Sequence, residues 1–178
     1  MKKGPARSKM PVEWVHQQLN APTTGVSVQS SLDLDLMQDE VAEIHKIIGM
    51  MRFPSGTVPN ADEVESIFGL LSMDPNVSLL LDPGGVDPLA DLETLWFQQW
   101  HREIEAVGTP ADEMHFGACG ETQQSDFGAH PVIVGTNVGM LLRFSSTTEG
   151  DAKWDVKIYF TRRRASVMEL NQILLKRR

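Results

Sequence analysis

The chain has 178 residues, 41% of them hydrophobic and 22% charged, which fits one globular domain and excludes disorder along its whole length. Its longest apolar runs, such as 79–81 and 132–134, fall far short of the ~20 residues that span a bilayer, and its single cysteine, Cys119, leaves no intramolecular disulfide to form and suits a reducing compartment. The net charge of −8 is unevenly spread: residues 1–9 carry four basic side chains and no acid, residues 10–142 carry 20 acidic and 3 basic, and residues 143–178 carry 9 basic and 4 acidic.

Residues 1–25 read as an extended N-terminal arm, broken by Pro5, Pro11 and Pro22 and loosened by Gly4 and Gly25. Val12, Trp14, Val15 and Leu19 are placed to anchor it. Lys2 and Lys3 are not followed by an apolar stretch, so these residues do not form a secretory signal, and synthesis in the cytoplasm is expected. From Val26 the pattern alternates through Val28, Leu32, Leu34 and Leu36, the period of a strand with one wet face.

The middle is ambiguous. Leu34, Met37, Val41, Ile44, Ile48 and Met51 recur at steps of three and four, as do Leu89, Leu92, Trp96, Trp100, Ile104 and Val107; taken locally this spacing predicts helices. A strand buried on both faces would also lose its clean alternation over 41–53, and Gly49 costs a helix about 1 kcal/mol relative to alanine. Turn signals at Pro54-Ser55-Gly56, Asp74-Pro75-Asn76, Asp82-Pro83-Gly84-Gly85, Asp87-Pro88 and Gly108-Thr109-Pro110 chop the chain at short intervals, as in many-stranded sandwiches.

Alternation returns over Val132 to Phe144 and over Trp154 to Phe160, and the connection 145–153 suits a hairpin. The segment 166–178 then reads as a short helix. Ser166 and Glu169 form a capping box, and Val167, Leu170, Ile173 and Leu174 an apolar stripe.

Catalytic signatures are missing: the sequence holds no P-loop, dinucleotide fingerprint, Gly-x-Ser-x-Gly elbow or HExxH pair. No catalytic residue, metal site or cofactor is therefore expected. His115, Cys119, Asp126 and His130 could ligate a metal, yet two histidines and one thiol are too few good ligands for a structural zinc site. The most distinctive polar feature is Arg162-Arg163-Arg164 at a strand end, followed by Lys176, Arg177 and Arg178. Arginine forks suit phosphate and carboxylate alike. Because the body is acidic, docking on protein is favoured over nucleic acid, which the basic ends could still contact. Trp96 and Trp100 read first as core or inter-sheet anchors and second as interface residues.

The run from His130 through Val134, a hairpin, then Trp154 to Phe160 entering arginines and a short helix resembles the small viral jelly-roll capsid proteins. That resemblance implies two four-stranded sheets packed face to face, a shell-forming role and no catalytic residues. The expected fold is thus mainly β: a jelly-roll-like sandwich over 26–165, an arm over 1–25 and a helix over 166–178, with an α+β fold as the alternative.

The expected function is a structural assembly subunit of a virion, partnered by copies of itself and other structural proteins. Its interface residues would be Lys2, Lys3, Arg7, Lys9, Trp96, Trp100, Arg162, Arg163, Arg164, Lys176, Arg177 and Arg178. The alternatives are a β-sandwich ligand- or carbohydrate-binding module or hydrolase, gathering His45, His101 or His115 with carboxylates, and an α+β adaptor or regulatory protein.

Overall fold

The computed structural model describes residues 11–21, 27–52, 63–75, 94–104, 122–145 and 152–175, with backbone alone at 63–66, 100–104, 144–145 and 174–175. The described elements are β1 (Glu13–Ala21), β2 (Ser27–Leu32), β3 (Glu40–Arg52), β4 (Glu63–Ser72), β5 (Thr94–Ile104), β6 (Thr122–Asp126), β7 (Val132–Val134), β8 (Val138–Ser145), β9 (Ala152–Arg164) and α1 (Val167–Leu175). One sheet has the order β1-β9-β3-β6, with β7 also paired to β3; the other has the order β2-β8-β4-β5. All the pairings are antiparallel. With β6 and β7 counted as one interrupted strand, the eight strands switch sheets at every step except β4 to β5, which are neighbours, in the double Greek-key order of a jelly roll.

Alternation along each strand fills the space between the sheets. From the first sheet come Leu19, Ala21, Ile44, Ile47, Met51, Val134, Trp154, Val156, Ile158 and Phe160, and from the second Leu32, Ile67, Leu71, Val138, Met140 and Leu142, in one buried cluster. Each fully buried aliphatic side chain here contributes about 1.5–3 kcal/mol of transfer free energy.

Two glycines let the sheets interlock. The Trp154 indole of β9 reaches across to β4, where a Cβ on Gly69 would stand 2.6 Å from its ring. The Trp96 ring of β5 reaches the other way, and a Cβ on Gly49 in β3 would stand 2.5 Å from it. The two indoles stack with centroids 6.2 Å apart and planes at 19°, and Trp154 Nε1 donates to Gln98 Oε1 at 3.1 Å. Gln17 Nε2 also donates to Ser30 Oγ, tying β1 to β2 between the layers.

A second apolar cluster lies on the other face of the second sheet. Leu70 and Leu141 are buried there, with Phe68 and Phe97 packed against them, the two rings stacked at 6.3 Å. Register places these side chains opposite in parity to Ile67, Leu71 and Met140, so the second sheet is apolar on both faces.

Several expectations change. Between the two readings left open above, residues 40–52 take the strand. The register with β9 slips between Ile44 and Lys46, a bulge at His45 that breaks the alternation; Ile44, Ile47 and Met51 face the core, while Val41 and Ile48 of the three-and-four stripe have the opposite parity. Residues 94–104 are also a strand. The four-residue steps among Trp96, Trp100 and Ile104 fit a period of two as well as one of 3.6, and pairing with β4 decides the matter.

The arm expected over 1–25 overlaps β1, whose nine residues all pair with β9. The anticipated hairpin over 145–153 is instead a crossing between sheets, since β8 pairs with β2 and β4 while β9 pairs with β1 and β3. Val132 and Val134 likewise belong to a different sheet from Val138, Met140 and Leu142. Their shared parity survives because both sheets point those positions at one core.

Candidate assembly surface

The arginine run lies where β9 leaves the first sheet. Arg162 donates through Nε and Nη2 to the Glu13 carboxylate, and through Nη1 to the Asp35 carbonyl at 2.8 Å and to its carboxylate at 3.3 Å. Asp35 holds a left-handed φ of 51°, and its own N–H donates to Asp33 Oδ1 at 2.8 Å, the local bond that makes this conformation tolerable for aspartate. Arg163 points to the outer face and bridges Glu43 of β3 and Glu169 of α1. Arg164 is 84% exposed, 3.5 Å from Asp39.

These contacts set the local electrostatics. The bond from Arg162 holds the Glu13 carboxyl below its ordinary range, its partial burial opposing. The bond from Arg163 does the same for Glu169. Both guanidinia are held more firmly protonated in return, chiefly by those same bonds. All three arginines expected to meet a neighbouring subunit are therefore already paired with carboxylates of their own chain, Arg164 through the longer, exposed contact to Asp39.

At the far end of the first sheet, Asp155 gathers Arg52, Gln18 and His16. Burial pushes its carboxyl up, and the bonds from Arg52, Gln18 and His16 together outweigh this and lower it.

The capping box at α1 is half formed. Ser166 Oγ accepts from Glu169 N at 3.2 Å, while the Glu169 carboxylate turns to Arg163. The helix thereby gains a clamp to the sheet. Between α1 and the turn after β7 opens a cleft of about 290 Å³, lined by Gln38, Gly135, Thr136, Val167, Leu170, Asn171 and Ile173.

Around this same end stand the exposed large hydrophobic side chains: Val12, Trp14, Met37, Ile133, Val167 and Met168, the last two 76% and 67% exposed. Val12 and Trp14 lie at the start of β1, whose residues 13–14 pair with the end of β9. Met37 lies in the loop entering β3, where Asp39 O accepts from Ala165 N. Ile133 pairs with Glu43, which pairs with Thr161. Among the described residues no other large hydrophobic side chain is exposed. Lys157 Nζ stands 4.0 Å above the Trp14 ring and 5.0 Å from that of Tyr159, a pair of cation–π contacts that hold Trp14 in place.

No family model matches the chain, and no curated protein matches it. In structure the chain is similar to viral capsid proteins. One is the Merkel cell polyomavirus VP1 unassembled pentamer, at 8% identity and a TM-score of 0.42, covering 91% of this chain and 98% of that one. Another is the BFDV capsid protein as a 60-mer, at 11% identity and a TM-score of 0.37, covering 89% and 95%. A third is the decameric BFDV capsid protein, at 11% identity and a TM-score of 0.33, covering 89% and 100%.

Of the expected interface residues, Trp96 packs on the core against Trp154 and so serves the sandwich interior. Lys2, Lys3, Arg7, Lys9, Lys176, Arg177, Arg178 and the side chain of Trp100 lie outside the described residues, as do His115, Cys119 and the side chain of His101. Of the other residues weighed as ligands, Asp126 accepts from Gly128 N at 2.9 Å in a turn and His45 faces Thr161 Oγ1 at 3.0 Å. Among the described residues no three His, Cys, Asp or Glu side chains gather as metal ligands, and no helix is long and apolar enough to cross a membrane. Sequence reading missed the exposed apolar set. The available signal was parity: Val12 and Trp14 sit out of phase with Val15 and Leu19.

Proposed function

We propose that this chain is a structural assembly subunit, a shell component of a virion, built from copies of itself through the end of the sandwich where β9 meets α1. The observation that carries the reading is the concentration of exposed large hydrophobic side chains at that one end, around the arginine run. Scattered surface apolar residues need no explanation, but a grouped set rimmed by charge is the composition of a contact surface, with Trp, Met and Arg the residue types enriched there. The described polar groups support the same reading. Arg162, Arg163 and Asp155 are bound into networks that brace strands and helix, and the cleft beside α1 is lined without a histidine or a carboxylate, unlike a hydrolytic or sugar-processing site.

Protein is the partner this surface fits. Among the described residues around it, Glu13, Asp33, Asp35, Asp39, Glu40, Glu43 and Glu169 outnumber Lys157, Arg162, Arg163 and Arg164, and an excess of acid repels a phosphate backbone. Sedimentation velocity of the purified chain, with negative-stain imaging of the same samples, tests the proposal. Regular particles or rings are expected; a species that stays at monomer mass at every concentration and salt would refute it.

A further inference from the structure

An amphipathic helix on a sandwich ordinarily buries its apolar stripe. α1 does not. None of the side chains described over 167–173 is buried, and none belongs to either apolar cluster. Val167 and Met168 stand in solvent, and Leu170 and Ile173 line an open cleft beside Gly135 and Thr136. At nine residues the helix is also shorter than the ~12–15 that persist in water unaided. Packing of the described side chains therefore does not account for its place on the first sheet.

Charge does. Glu169 is the one charged side chain of α1. Arg163 of β9 donates to both of its carboxylate oxygens, through Nη1 at 3.0 Å and through Nη2, and is braced from behind by Glu43 of β3 through Nε. The side chains of Arg163 and Glu169 are 27% and 30% exposed, so the forked pair is partly sheltered and holds better than a fully wet one. The neighbouring charges are otherwise occupied. Arg164 pairs with Asp39, whose carbonyl accepts from Ala165 N at the entry to the helix, and the Glu40 carboxylate accepts from Met37 N. The turn at 135–137 carries no charge.

We infer that α1 is an electrostatic latch: the Glu169–Arg163–Glu43 relay holds it to the first sheet, and breaking the relay frees the helix while both sheets stay folded. Once free, a helix this short loses its internal hydrogen bonds as well, so the closed and open states differ in order and not only in position. Val167 and Met168 leave with it, which takes two of the six exposed large hydrophobic side chains away from this end. The latch operates within a single chain and does not depend on assembly. Acid opens it. The Arg163 bond holds the Glu169 carboxyl below its ordinary 4.5, so the attachment is complete above that value and is lost as pH falls through the lower folded one.

Hydrogen exchange of the full chain, read as protection factors, tests the latch on three variants. Glu169→Gln keeps the shape of the side chain and removes its charge, Arg163→Met removes the other partner, and Ile173→Ala trims the apolar contact beside Gly135. Thermal melts confirm that each folds. Amides 170–175 of Glu169→Gln are expected to lose about tenfold in protection with β3 and β9 unchanged, and wild type taken below about pH 4 is expected to move the same way. In the Arg163→Met background Glu169→Gln is expected to change little, which separates the clamp from the attraction of Glu169 to the N-terminus of its own helix. Ile173→Ala is expected to cost less protection than Glu169→Gln. A larger loss in Ile173→Ala, full protection in Glu169→Gln, no protection of these amides in wild type, or their opening only together with β9 would each overturn the latch.

Discussion

Gly69→Ala is the sharpest probe of how the two sheets interlock. A methyl group there would stand 2.6, 2.7 and 2.8 Å from three atoms of the Trp154 indole. The ring cannot yield cheaply: it is fully buried, stacked on Trp96 and tied through Nε1 to Gln98. Overpacking of this kind costs about 1–3 kcal/mol, against which alanine recovers about 0.5–1 kcal/mol of the backbone entropy that glycine loses. The difference is a net loss of about 0–2.5 kcal/mol, centred at about 1 kcal/mol, or roughly 2–4 °C in Tm for a chain of this size. Gly135→Ala is the control, since its Cβ would meet only Ile173 Cγ2 at 3.5 Å, an ordinary contact. Urea denaturation followed by tryptophan fluorescence measures both. A Gly69→Ala protein as stable as Gly135→Ala would refute the interlocking of Trp154 with the opposite sheet.

Trp154→Phe keeps most of the ring but removes the donor to the buried Gln98 Oε1, and should cost about 1–3 kcal/mol in the same denaturation assay; pairing it with Gln98→Leu should recover part of that loss. Asp35→Val forces a β-branched residue into a left-handed φ and should destabilise by about 1–2 kcal/mol, with Asp35→Asn near neutral. Glu13, Asp155 and Glu169 all titrate below their ordinary values of 4.5, 3.8 and 4.5. Their contribution is therefore complete above those values and is lost as pH falls through the lower folded ones, so melting temperature should begin to drop below about pH 4.5 and the drop should be shallower in Arg162→Met. Arg163→Met should release α1 from the sheet, seen as faster amide exchange over 167–173 with β3 and β9 unchanged.

Much of the fold was legible because burial in a two-layer sandwich writes a period of two. Trp154, Val156, Ile158 and Phe160 announce β9 without ambiguity, and the turn signals set strand lengths. The helical appearance of 34–51 drew on both faces of β3, Ile44 and Met51 toward the core and Val41 and Ile48 away from it, while the alternation itself is broken by the bulge at His45, a tertiary feature that matches the interruption between β6 and β7, where Phe127 N donates to His45 O at 2.8 Å. No local pattern encodes that. Sheet membership was equally hidden: parity tells which side chains face the core, not which sheet carries them, so β8 and β9 look like a hairpin. The arginine run was visible in sequence, but its partners Glu13, Asp35, Glu43 and Glu169 come from up to 149 positions away and meet it only through the strand order.

The assembly claim is tested most directly by multi-angle light scattering of the purified chain across protein concentration and ionic strength. A mass well above 19.8 kDa, rising with concentration and shifting with salt, is the predicted result; a mass fixed at 19.8 kDa under all conditions would contradict it.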